Sequence, residues 1–456
     1  MHIPKMQLEK TIYKVYKTGI PFYDAARLVG VSNLFFGAVS AEVLDNGSYW
    51  EVSGINVERD EDQIVWILDR INPTDKEKKL FRNRNGKFAW KELGEYFAET
   101  SKQGRKVDLK VEYDATLQIG TRGPDSLSKY EILAPRSTGE RRKKFFEPFQ
   151  EVAVATLGRG FAATIISRTK GQRDTKYVLP MFSDHFVVSG FLEFQRYYEH
   201  AAGGYVASVL AAISILLELT SRRIPVLDFA YSREVKSGQT PIFSESGYLG
   251  FEKLCSLWLD AVKNNDEKRL RVFRQIKIFL KSTTRRLVDS KTLDLARHLA
   301  HFAVTVDLDS LVIVERLKAR ILASAKDAFP VSNLFSSYAD IIEMGKIMET
   351  KIEIPSELVE SVAGILSLEK KGWMNKLTKL ENAPTIDQFL TEMERLISRG
   401  VYTAQAQKRE LQGIRNIQKD VLEGLQELRD PRSFRAFKAL FLLAVLGKLR
   451  IERGGE

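Results

Sequence analysis

Apolar residues change their spacing partway along the chain. Up to about residue 250 they gather in short runs rich in β-branched and aromatic side chains, and beyond it they recur at every third or fourth position. Short runs bounded by turn residues mark strands, and three-to-four spacing marks amphipathic helices. The pattern predicts an α+β chain, with a mixed sheet-and-helix domain over residues 1–250 and an all-helical domain over residues 251–456.

In the first part, strands are expected at residues 38–44, 49–57, 107–113, 117–119, 152–157, 161–167, 177–182 and 225–229, and helices at about 87–98 and 191–220. Asp45, Asn46, Gly47 and Ser48 between the first two strands form a strong hairpin signal. Glu58, Asp60, Glu61 and Asp62 precede an apolar stretch at 64–68 and read as first-turn acids of a helix rather than a metal cluster. In the second part, Pro330, Pro355, Pro384 and Pro431 fall at helix-length intervals, as connectors in a bundle would. The last helix, over 430–450, has a capped start and a wide apolar face, so it is expected in the bundle core.

A length of 456 residues suggests about two to four domains. With 44% apolar and 28% charged residues, the composition is that of a folded globular chain. Charge adds a direction to that picture. Seventy Lys and Arg against 59 acids give a net charge of +11, which favours polyanionic partners such as nucleic acid. The single cysteine, Cys255, excludes an intramolecular disulfide and suits a reducing, cytoplasmic setting. No cleavable signal opens the sequence, and the longest apolar run, residues 204–217, is shorter than the roughly 20 residues of a membrane span. That run reads as a buried core helix, and no membrane partner is expected.

Catalytic signatures are sparse. There is no P-loop, Cys-x-x-Cys pair or nucleophile elbow, and the five histidines leave few general bases, so neither an ATPase nor a zinc module nor a bound cofactor is expected. Gly158, Gly160 and Ala163 match the spacing of a dinucleotide-binding loop, but Lys170 and Gly171 interrupt the helix which that site requires. Asp294, His298 and His301 share a helical face without a fourth ligand, so they read as ordinary helix-face residues. The sharpest enzymatic hint is Asp228, near the end of its expected strand, followed by Glu234 and Lys236. Two carboxylates and a lysine are the parts of a metal-dependent nuclease, and this is the alternative function.

Basic, turn-like stretches recur in the first part. Arg168, Lys170, Gln172, Arg173 and Lys176 lie between two expected strands; Asn83, Arg84, Asn85 and Lys87 form a second stretch, Arg122 and Lys129 a third, and Arg141, Arg142 and Lys143 a fourth. Cations interleaved with Gly, Asn, Ser and Thr suit phosphate contacts through side chains and exposed amides, and Gln172 could read a base edge. Residues 136–176 hold ten Lys and Arg against four acids, more than folding of the turns requires. A solvated loop is the plain alternative for each stretch alone. On the helix over 270–286, Val272, Phe273, Ile276, Phe279 and Leu280 fall on one side, and Arg271, Arg274, Lys277, Lys281 and Arg285 on the other. The second set is either a solvated face or a phosphate-tracking one.

The stretch from Tyr16 to Gly30 (YKTGIPFYDAARLVG), the segments at 228–232 and 238–242, and the order of a basic α+β domain before a helical one resemble the large subunit of a type I-A CRISPR effector complex, an archaeal Cascade. The resemblance implies a subunit without catalytic chemistry that binds the guide-RNA handle end. It would assemble with the backbone, handle-binding and small subunits. It would also recognise the protospacer-adjacent motif in target double-stranded DNA, help part the strands and recruit the helicase-nuclease. In such a complex base pairing reads the sequence, and the protein needs phosphate contacts and a few probes of a short duplex flag.

Overall fold

The computed structural model describes residues 10–36, 41–56, 90–104, 116–118, 129–133, 144–146, 149–169, 171–182, 186–188, 196–199, 204–219, 225–237, 240–285, 288–324, 329–348, 352–368, 372–406 and 430–449, with a few isolated positions. The chain is α+β and forms two compact units, one of residues 1–200 and 214–259 and one of residues 201–213 and 260–456. Among the described residues no helix is long and apolar enough to cross a membrane.

The first unit holds three sheets. One is antiparallel, in the order β1 (Lys10–Tyr16), β3 (Tyr49–Ile55), β2 (Ala41–Asp45) and β9 (Phe186–Val188). The hairpin between β2 and β3 turns where expected, with Gly47 at φ +76° and its N–H donating to Asp45 Oδ1 at 2.8 Å. A small antiparallel sheet joins β4 (Thr116–Gln118), β5 (Lys129–Leu133) and β6 (Lys144–Phe146). The third has the order β10 (Arg196–Glu199), β7 (Ala163–Thr169), β8 (Gln172–Phe182), β11 (Val226–Ser237) and β12 (Thr240–Tyr248); only the β10–β7 pair is parallel.

Helix α1 (Pro21–Val31), a π turn (Ser32–Phe36), α2 (Trp90–Gln103) and α3 (Phe149–Arg159) complete the core of this unit. Pro21 occupies the first helical position of α1, where its missing N–H costs nothing. Ahead of it the Asp24 carboxylate accepts from the Thr18 and Gly19 N–H groups at 2.9 Å and from the Thr18 hydroxyl at 2.7 Å, while Gly19 takes φ +84°. Where α1 crosses α3, a Cβ on Gly30 would lie 1.9 Å from the Val154 carbonyl oxygen, and one on Gly158 1.8 Å from that of Ala26. Only hydrogen fits at either position. Beside the crossing Arg27 is fully buried, donating to Glu151 at 2.8 Å, to Asp24 at 2.7 Å and to the Tyr16 carbonyl. Burial works against the guanidinium's charge, but Glu151, Tyr23 and Asp24 more than offset it and raise its pKa above the ordinary arginine value.

Several expectations change here. Residues 152–157 are not a strand but the middle of α3, apolar on every side because the helix is buried all round. A short apolar run carries no period that separates a buried helix from a buried strand. Within the helix expected at 191–220, Arg196–Glu199 forms β10 instead, its adjacent tyrosines suiting a strand, and α4 spans only Gly204–Leu219. The run at 204–217 is, as expected, a buried helix. The expected strand at 107–113 and most of the acidic helix start at 58–68 lie outside the described residues.

The second unit is helical among its described residues. Its elements from the C-terminal part are α5 (Glu252–Lys263), shared with the first unit by its opening residues, then α6 (Glu267–Arg285), α7 (Ser290–Thr305) and α8 (Leu308–Ser324). After these come a short α9 (Phe329–Ser332), α10 (Tyr338–Ile347), α11 (Ser356–Ser367), α12 (Trp373–Asn382), α13 (Ile386–Ala406) and α14 (Pro431–Lys448). Helix α14 starts as expected: Asp430 accepts from the Ser433 N–H at 2.7 Å and Pro431 follows it. Phe389 meets Phe434, Phe437 and Phe441 edge-on at 5.7, 6.2 and 6.0 Å between ring centroids. Lys438 donates to the Glu381 and Ala383 carbonyls at 2.8 Å each and so closes the C-terminal end of α12.

Two charged groups are buried in α8. Lys318 donates to the Leu334 carbonyl, whereas Glu315 Oε1 has no hydrogen-bond partner among the described residues. Burial, with help from Glu381, pushes the Glu315 carboxyl up to about 8, and burial brings Lys318 down to about 7 against the pull of Glu315.

Candidate nucleic-acid interface

The basic stretch at 167–177 is largely strand. Strand β7 runs to Thr169 and β8 begins at Gln172, so Thr169 faces Gln172 across a tight turn. Gly171 supplies the turn's left-handed residue at φ +77°, with open space around its α-carbon. Reading the whole stretch as a loop underestimated the strands, because a two-residue turn needs a single glycine and Thr169 and Thr175 favour extended backbone.

Strand pairing then decides which cations meet. Arg168 on β7 lies directly opposite Arg173 on β8, and Arg173 lies directly opposite Lys236 on β11. Three cationic positions therefore form one row across three adjacent strands. Directly opposed side chains have Cβ atoms about 4.5–5.5 Å apart, and like charges so placed destabilise a sheet. Arg168 and Arg173 are both exposed, and neither makes an ion pair among the described residues. Arg173 Nε donates to the Thr175 hydroxyl at 3.3 Å, a neutral partner. A phosphate laid over the row would bridge these charges and replace repulsion with charge-assisted hydrogen bonds.

The other face of β8 is different. By strand alternation Gln172, Asp174 and Lys176 share the face opposite that of Arg173. There Lys176 stands 5.1 Å from the centre of the Tyr231 ring, and Arg233 grips Asp174 with two nitrogens at 2.7–3.0 Å. Lys176 is thus placed by an aromatic neighbour on the face that carries the Asp174–Arg233 ion pair, apart from the cation row. Gln172 is exposed beside the turn, and Lys170 lies outside the described residues.

The other sequence candidates separate in the same way. Lys129 sits in β5 opposite Phe146. Asn83, Arg84, Asn85, Lys87, Arg122, Arg141, Arg142 and Lys143 lie outside the described residues. On α6 the apolar set is buried as expected, with Val272, Phe273, Ile276, Phe279 and Leu280 at 3% exposure or less. Its basic face is partly neutralised: Arg271 pairs with Asp340 at 3.0 Å and Arg274 with Glu267 at 3.0 Å. Lys277 and Lys281 are half-buried, and Arg285 ends the helix. Both acids come from outside the stretch that defined the face, Glu267 from the helix's first turn and Asp340 from α10.

Asp228 stands near the start of β11, not the end, because the strand continues to Ser237. A register shift at Leu227 turns that side chain out to 54% exposure and Asp228 in to 5%. The Asp228 carboxylate accepts from the Phe229 and Phe251 N–H groups at 2.7 Å and from that of Gly250 at 3.1 Å. Burial raises its pKa, while the three N–H groups pull it down. Its lone pairs hold the chain at the entry to α5, which is a structural task. Glu234 lies in register between Thr175 and Ser244, and Lys236 belongs to the cation row. Among the described residues no group of three or more His, Cys, Asp or Glu could hold a metal ion.

Sequence reasoning missed Lys236 as a member of the row, because its neighbours across the sheet are far away in the chain. Cys255 is buried in α5, and burial, then Asp228 and Glu252, raise its thiol pKa, so it is not a reactive thiolate. No protein-family model matches the chain, and no curated protein matches it.

Proposed function

We propose that this chain is the non-catalytic large subunit of a type I-A CRISPR surveillance complex, contacting target duplex DNA through the open end of its five-stranded sheet. The observation that carries the reading is the cross-strand row of Arg168, Arg173 and Lys236, three like-charged positions in register on adjacent strands. The row suits a phosphate backbone, whereas Gln172, on the opposite face of β8, stands apart from it and does not share its contacts. The resemblance carried by residues 16–30 supplies the setting: the guide-RNA handle, the other Cascade subunits and the helicase-nuclease as partners, and the protospacer-adjacent motif as the duplex flag. The nuclease alternative is the weaker reading, because Asp228 spends its carboxylate on three backbone N–H groups.

The test is duplex binding by the wild type and by the double variant Arg168→Ala/Arg173→Ala across a salt series. The variant is expected to bind more weakly, with its log–log salt slope reduced by roughly 0.9 for each phosphate that it no longer neutralises. Equal affinity and equal slope would overturn the assignment.

A further inference from the structure

Helices α8, α12 and α14 of the helical unit line a cavity of about 230 Å³. Phe434, Ala439 and Leu442 contribute buried apolar surface to it, while Pro384 and Pro431 are exposed. Pockets for drug-sized ligands measure roughly 300–1,000 Å³, so this one takes a single ring system and not a whole nucleotide.

The cations and one of the two acids that line the cavity are already engaged. Arg316 bonds Glu381 at 2.5 Å, Arg435 pairs with Asp309 at 2.6 Å, and Lys438 is held by two carbonyls at 2.8 Å. The second acid, Glu315, is 1% exposed, and its Oε1 has no hydrogen-bond partner among the described residues. A polar group buried without a partner is costly, and one that lines a cavity can take its partner from outside the chain.

The charges nearby narrow what that partner is. Arg316, Lys318, Arg435 and Lys438 surround Glu315 and Glu381, which disfavours a cationic ligand. Burial, then Glu381, raise the Glu315 pKa to about 8, so the carboxyl keeps its proton at neutral pH and presents a donor beside an acceptor. Every nucleobase carries the complement on its Watson–Crick edge, and its flat faces suit apolar and aromatic walls. Arg316 and Arg435 line the cavity yet reach solvent, where a sugar and phosphate left outside would lie.

We propose that this cavity takes one unpaired nucleobase, held along its Watson–Crick edge by the Glu315 carboxyl and against the apolar surface of α14. The base belongs to a free nucleoside or to an unpaired residue of a strand; the strand source alone rests on the reading of the chain as a DNA-contacting subunit.

The experiment is ligand-observed NMR titration of the full chain. One arm compares thymidine with N3-methylthymidine, whose edge is blocked, and the other compares single-stranded oligo(dT) with an abasic strand of equal length. Thymidine binding weakened about tenfold by the methyl group supports the nucleoside source, and a preference confined to oligo(dT) over the abasic strand supports the strand. Glu315→Leu removes the unmatched group while keeping its bulk, so it is expected to fold and to lose the preference. Glu315→Gln retains a donor beside an acceptor and should restore it. No thymine-dependent binding in either arm overturns the proposal, as does a Glu315→Leu variant that binds like the wild type or a Glu315→Gln variant that fails with it. Repeating both arms in Arg168→Ala/Arg173→Ala separates the cavity from the sheet: a preference that persists there supports the cavity whatever becomes of duplex binding, and one that vanishes overturns the assignment.

Discussion

Arg27 and Glu151 face each other at 2.8 Å with both side chains sealed from water, one on α1 and the other on α3. Tyr96 donates to the second Glu151 oxygen at 3.1 Å, so each charge is paired and hydrogen-bonded. Removing one partner strands the other in a low-dielectric core. Glu151→Ala is expected to cost about 3–5 kcal/mol in urea unfolding. The double change Arg27→Met/Glu151→Leu should cost less than the single one, because Asp24 keeps its Thr18 and Gly19 donors. A double variant that is less stable than the single one would contradict this account.

Two glycines should fail for different reasons. Gly158→Ala forces a methyl into the Ala26 carbonyl, which is backbone and cannot rotate away, so the helices must part. A loss of about 3 kcal/mol or more is expected, in the range of severe overpacking. Gly171→Ala meets no atom but must hold φ +77°, a conformational cost of about 1–2 kcal/mol. Thermal unfolding of the pair decides the order, and a Gly171→Ala variant less stable than Gly158→Ala would reverse it.

Asp228→Asn discriminates between a structural cap and a metal ligand. An amide retains one acceptor oxygen and turns an NH₂ toward donors, so unfolding free energy should fall by about 1–3 kcal/mol. Calorimetric titration with Mg²⁺ should give the same trace for both proteins. Mg²⁺ binding by the wild type that disappears in the variant would instead favour the nuclease reading.

Glu315 makes stability depend on pH. Its folded pKa of about 8 lies above the ordinary 4.5, so the folded chain holds a proton that the unfolded chain releases. The stability from the protonated carboxyl is complete near pH 4.5 and is lost as pH rises toward 8. Glu315→Gln stays neutral throughout. Relative to the wild type it should therefore gain stability steadily between about pH 5 and 8, by up to a few kcal/mol, and no further above that. Parallel unfolding midpoints over that interval would contradict the shift.

The fold was legible wherever a local signal stood alone. Gly47 announced the first hairpin, Asp430 and Pro431 the last helix, and the apolar face of α6 its buried side. Helix α3 was not legible, because a helix enclosed on all sides loses the polar stripe that reveals its period. The site was half legible. The excess of cations around residue 170 can be counted in the sequence, but their partition is set by pairing: alternation sends Arg173 and Lys176 to opposite faces, and β11 brings Lys236 from about sixty positions away. The backbone partners of Asp228 were not legible for a related reason, since Gly250 and Phe251 are distant in the chain.

Gly30 and Gly158 carry a kinetic consequence. They join segments more than a hundred residues apart, as does the Arg27–Glu151 pair with a separation of 124. Contacts of such separation repay the entropy of loop closure only after the intervening chain has been gathered in. A crossing that accepts hydrogen alone permits a single alignment of the two helices, and a slip of one residue would present a methyl or leave a charge bare. The crossing is therefore suited to form late and to act as a checkpoint, completing the first unit only when everything threaded between residues 31 and 149 is already in place.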